Sequence, residues 1–65
     1  MWIKSVEGEL LNLSKASTIA YSEFSNATVA RIDNKLYKIA DNNIINKLAA
    51  AIAENKIFME VVSNG

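Results

Sequence analysis

The sequence predicts an α+β fold: a small, antiparallel-rich β-meander of four to five strands with one helix packed on one face, in the order ββββαβ. Three observations predict it. Short runs rich in Ile, Val, Leu, Thr and aromatic residues alternate with Gly, Asn, Asp and Ser, which form turns. One segment, from Ile44 to Asn55, spaces its apolar residues at helical intervals. A β-rich run, Ile57 to Val62, follows the helix and returns the chain to the sheet.

Taken in order, Trp2 to Val6 reads as a short strand. Glu7-Gly8-Glu9 reads as a turn in which Gly8 suits a positive φ. Leu10 to Leu13 resumes as a strand, and Ser14-Lys15 marks a break or bulge. Ser17 to Phe24 alternates, with Ile19 and Tyr21 on one side and Thr18, Ala20 and Ser22 on the other. Phe24 falls out of that phase, which predicts a second bulge.

Thr28 to Ile32, Asp33-Asn34 and Lys35 to Ile39 form the clearest hairpin, because Asp and Asn tolerate the left-handed conformations of a two-residue turn. That turn sets the register: Ile32 opposite Lys35, Ala30 opposite Tyr37, Thr28 opposite Ile39. The other surface then carries Val29 beside Lys38 and Arg31 beside Leu36. The first surface is the more apolar and is expected to face the core. Asp41-Asn42-Asn43 supplies N-cap residues for the helix. Ile45, Leu48, Ala49 and Ile52 make its apolar stripe, expected to be core, and Ala50, Ala51 and Ala53 keep its other faces slim. Residues 1–62 are expected to form one domain, with 63–65 a frayed tail.

The string Thr28-Val29, Ile32-Asp33-Asn34-Lys35, Tyr37, Ile39 and Ile44-Ile45 resembles the hairpin-to-helix pattern of the short FlbD-type bacterial flagellar proteins. No Gly follows Asn34 and the last strand has no counterpart there, so no function is carried over.

Composition narrows function by exclusion. The 65 residues include seven basic and seven acidic side chains and no His, Cys or Pro. Apolar residues make up 51% and charged residues 22%, which are globular proportions. A chain of this length buries only about 60% of the surface it exposes unfolded, and small domains usually add a staple. Disulfides and Cys/His zinc sites are excluded, which leaves self-association or a partner. A homo-oligomer, most simply a dimer, is expected. Zero net charge argues against nucleic acid. Residues Met1 to Glu7 lack the regions of a signal peptide, and no apolar run reaches the length of a membrane span. The expectation is a cytoplasmic protein, and frequent Ile, Asn and Lys suggest a bacterial or viral genome.

Without His or thiol there is no ordinary nucleophilic triad. Glu7, Glu9, Glu23, Asp33, Asp41, Glu54 and Glu60 read as turn, cap and surface residues, with no calcium-loop spacing. No Gly-rich phosphate loop is present. The chain is therefore expected not to be an enzyme, and no catalytic, cofactor or metal residue is nominated.

Candidate interface or ligand contacts are Trp2, Arg31, Leu36, Tyr37 and Lys38. Trp2, on an expected edge strand, serves either as core or as a contact anchor, since Trp is enriched at interface hot spots. Arg31 and Lys38 either snorkel on a solvated face or form a patch for an anion or a subunit. With Tyr37 or Tyr21 brought near across an interface, a nucleotide would be stacked and its phosphate paired. The functional expectation is a non-enzymatic regulatory protein that acts as a homo-oligomer and binds or inhibits a larger protein. The alternative is an oligomeric binder of a small anionic or nucleotide-like ligand at a subunit interface.

Overall fold

The computed structural model describes residues 1–62; the tail expected at 63–65 lies outside the described residues. The elements are β1 (Trp2–Lys4), β2 (Leu10–Asn12), a 3-10 turn (Leu13–Lys15), β3 (Ala16–Ser22), β4 (Ala27–Ile32), β5 (Lys35–Ala40), α1 (Ile45–Ala53) and β6 (Phe58–Glu60). The fold is α+β, as expected. The strand count and order differ from ββββαβ, because five strands precede the helix. With β6 they do not form one meander but divide between two three-stranded sheets.

The first sheet has the order β2-β1-β6. β1 pairs antiparallel with β2 and parallel with β6. Trp2 therefore lies on a central strand, not on an edge. Ser5 closes the β1–β2 turn: its hydroxyl accepts from the Glu7 and Glu9 N–H groups at 3.3 and 3.1 Å. Gly8 sits there at φ +86°, the left-handed conformation expected of it.

The second sheet is the antiparallel meander β3-β4-β5. Asp33 and Asn34 take φ values of 52° and 65° at the β4–β5 turn, where both residues must be left-handed. The predicted pairs Ile32–Lys35, Arg31–Leu36, Ala30–Tyr37 and Val29–Lys38 are present. The predicted Thr28–Ile39 pair is not. A bulge next to Val29 shifts Thr28 opposite Ala40. Ile39 and Ala40 are then both buried, and the Ile39 carbonyl accepts from the Val6 N–H at 2.9 Å, which ties the two sheets together. The break expected at Ser14-Lys15 is the 3-10 turn, and its irregularity continues as a bulge between Ala16 and Thr18. Phe24 is not a bulged strand residue; β3 ends at Ser22, and Phe24 stands fully exposed in the turn beyond.

One apolar cluster lies between the layers. Ile3, Leu11, Leu13, Ala30, Ile32, Ile39, Ala40, Ile44 and Leu48 compose it. Burying a side chain such as Ile3 or Ile39 contributes about 1.5–3 kcal/mol. The inner face of the hairpin is the one expected from its apolar content.

The helix is rotated from its expected setting. Ile44, Leu48 and Ala51 are buried, whereas Ala49 and Ile52 are exposed and Ile45 is half-buried. The reason lies in Thr28. Its Oγ1 donates to the Asn42 carbonyl at 2.6 Å and accepts from the Ile44 N–H at 3.1 Å. That clamp pins Ile44 into the core, and steps of four and three residues from it reach Leu48 and Ala51. The helix runs only to Ala53, and Asn55 takes a positive φ just beyond it. Of the three expected cap residues, only Asn43 acts on the helix, its Oδ1 accepting from the Ile45 N–H at 3.1 Å.

Candidate interaction surface

In β1, β2 and β6 the inward residues are Ile3, Leu11 and Met59, so strand alternation turns Trp2, Lys4, Leu10, Asn12, Phe58 and Glu60 outward. Register sets Trp2 between Asn12 and Phe58, and Lys4 between Leu10 and Glu60. Trp2 and Phe58 are 48% and 50% exposed, and Leu10 and Ile57 are more exposed still. The only charges these three strands carry neutralise each other, with Lys4 Nζ 3.5 Å from Glu60 Oε2. The result is an outer face on which Trp2, Phe58 and Leu10 stand exposed beside Asn12 and one ion pair, with no net charge. Aromatic rings bury large areas when covered and lose little side-chain entropy.

The outer face of the meander is of a different kind. Arg31 stands between Thr18 and Leu36, and Val29 stands beside Lys38. Arg31 and Leu36 are exposed, Lys38 partly so. Lys38 Nζ is engaged with the Asp41 carboxylate, so Asp41 is an ion-pair partner and not a helix cap. The hydrogen bond that Lys38 donates to the Asp41 carboxylate raises the Lys38 pKa above its ordinary value, opposed by partial loss of hydration and helped by the charges of Asp41 and Glu7.

Arg31, Leu36 and Lys38 thus share one face of one hairpin. Tyr37 projects to the opposite, inner face beside the core, and Trp2 lies on the other sheet. A single chain does not gather Arg31, Tyr37 and Lys38 around one anion. The reason is strand alternation: Tyr37 is adjacent in sequence to Lys38 and therefore opposite in direction.

Sequence reasoning missed Phe58, Ile57 and Leu10 as surface residues. The signal available was the strand Ile57 to Val62, apolar on both faces, which needs cover on both sides when it lies beside β1. A cleft of about 440 Å³ continues from Trp2 between β1 and the end of α1, walled by Leu13, Ile52, Asn55, Lys56 and Ile57. A smaller groove of about 180 Å³ runs between Ile19 of β3 and the stripe Ile45, Ala49 and Ile52 of α1.

No cluster of three or more metal-ligating side chains occurs among the described residues. No helix there is long and apolar enough to cross a membrane. Comparison with family models, curated proteins and solved structures finds no match.

Proposed function

We propose that this chain is a non-enzymatic interaction protein that acts as a homo-oligomer and binds, and thereby regulates, a larger protein. The observation that carries the reading is the pairing of Trp2 with Phe58 on an outer sheet face whose two charges, Lys4 and Glu60, pair with each other. Such a face fits a partner surface that is itself apolar at its centre, with Trp2 and Phe58 as anchors. Leu36 and Arg31, on the meander, supply a second and more polar contact.

The test is quantitative affinity capture with wild type and with a W2S/F58S variant, followed by titration of the purified captured protein. The change in emission of Trp2, the sole tryptophan, reports binding. Expected is one protein retained by wild type and lost with the variant, with a blue shift of Trp2 emission on saturation. Equal capture by both proteins overturns the reading.

The cleft beside Trp2 favours a second reading, a binder of a small anionic ligand with Lys56 at its wall. A thermal-shift screen against nucleotides separates the two. A ligand at 100 times its dissociation constant stabilises by about 2.7 kcal/mol.

A further inference from the structure

We infer that the free edge of β3 pairs antiparallel with β3 of a second copy, about a two-fold axis through Ile19. The two meanders then join into one six-stranded sheet with the two α1 helices side by side on one face. The inference rests on the homo-oligomer part of the function proposed above, and it names the contact.

Three observations converge on β3. It is the longest strand, Ala16–Ser22, and it has a neighbour on one side only. Among the described residues, no backbone hydrogen bond from residues 17–22 runs to anything beyond β4. Natural edges are commonly blunted by charge or proline, and the stretch Ala-Ser-Thr-Ile-Ala-Tyr-Ser holds neither; its one irregularity, at Ala16–Thr18, lies at the end. The other edges offer less. β2 and β6 are three residues long, and β5 already receives the Val6 N–H at Ile39.

The second observation is the helix. α1 packs against β3, and the groove between them is lined by Ile19 of β3 with Ile45, Leu48, Ala49 and Ile52 of α1. The stripe Ile45, Ala49 and Ile52 has the spacing of a buried face, yet it is left partly or largely uncovered, with Ile52 at 51% exposure. A two-fold axis perpendicular to the sheet keeps both helices on the same side. It sets Ile19 against Ile19 of the copy and brings the two stripes toward each other across the seam.

The third observation is charge. Lys15 ends the 3-10 turn just before β3 and Glu23 lies in the turn just after it, so antiparallel pairing about residue 19 brings the Lys15 end of one strand to the Glu23 end of the other. This happens at both ends of the pair. Both side chains are exposed, and neither enters an ion pair within the described residues of one chain. Cross-strand opposite charges favour this register, and like charges oppose it.

Charge reversal tests the contact. Wild type, K15E, E23K and K15E/E23K are compared by sedimentation equilibrium over a range of concentrations, with circular dichroism as the check on folding. Expected is a wild-type dimer, with a dissociation constant raised about tenfold in each single variant by two like-charge meetings. The double variant regains wild-type affinity. An equimolar mixture of K15E and E23K, one of them isotope-labelled, forms the mixed dimer in preference to either parent. Independently, the cysteine-free chain carrying I19C cross-links to itself on oxidation, while V29C does not, because only the residue on the axis faces its own copy. A wild-type dimer unaffected by either reversal, or an I19C dimer that stays uncrosslinked, overturns this contact and leaves the homo-oligomer reading standing. A wild-type monomer at every concentration overturns both.

Discussion

The two sheets are built on opposite principles. In the meander, strands of six and seven residues pair with their neighbours in sequence through short turns. In the β1 sheet, strands of three residues pair a segment near residue 2 with one near residue 58, in parallel. Long-range pairing of this kind costs more loop-closure entropy per hydrogen bond gained. Ile3 and Leu11 of the β1 sheet are buried in one cluster with Ile32 and Ile39 of the meander and Leu48 of α1, and that shared burial supports ladders only three residues long. The meander holds its register by local rules; the β1 sheet borrows the meander's core.

Ile3→Ala should give the largest effect on that comparison. Ile3 is fully buried at the centre of β1, and truncation is expected to cost about 3–4 kcal/mol. Urea denaturation measures the loss. Hydrogen exchange sharpens it: the β1 sheet should open before the meander, with amides of β4 retaining the slowest exchange. Simultaneous loss of protection in both sheets would show that the meander depends on the β1 layer as much as the reverse.

Thr28→Val comes next. It keeps the shape but leaves the Asn42 carbonyl and the Ile44 N–H without their partner, at about 2 kcal/mol. The helix should loosen first, seen as a drop in far-UV ellipticity at denaturant concentrations that leave the meander intact. Asn34→Ala tests the local side. A left-handed φ of 65° penalises alanine by about 1 kcal/mol, while Asn34→Gly should be neutral or slightly stabilising. Chemical denaturation of the three proteins gives the order Gly, Asn, Ala.

The smallest expected effect is that of Lys38 with Asp41. The raised Lys38 pKa means that the pair's stabilisation is fully present below the ordinary lysine value and is lost as pH rises through the higher folded one. Wild type and Asp41→Asn should therefore differ in stability near pH 8 and converge in strong alkali. A constant difference across that range would place the effect of the substitution outside the ion pair.

Much of the meander was legible in the sequence. Asp33-Asn34 fixed a two-residue turn, and four of the β4–β5 pairs follow from it. The fifth was not legible, because a bulge lies beside Val29 and no local residue signals it; the Ile39 carbonyl there accepts from the Val6 N–H, far away in sequence. The existence of α1 was legible, but its facing was not. Periodicity admits two overlapping apolar stripes on this Ile- and Ala-rich helix, and only the Thr28 clamp selects Ile44, Leu48 and Ala51 for the core. Of the candidate contacts, Arg31, Leu36 and Lys38 share a face as register requires, and Tyr37 is excluded from it by alternation. For Trp2 the sequence left core and contact open; its exposure and its neighbour Phe58 were not legible, since nothing local pairs residue 2 with residue 58.

By itself the sequence determined the fold class, the places of the turns, the apolar positions of the hairpin and the absence of His and Cys chemistry. These are local matters: φ preference, side-chain alternation and side-chain identity act within a few residues. Only the tertiary structure decided the division into two sheets, the central place of β1, the rotation of the helix and the exposure of Trp2, Phe58 and Ile52. Each of those depends on which distant segment competes most favourably for a limited apolar core. In a chain this small the core cannot take every apolar side chain, so what it leaves outside becomes the surface available for partners.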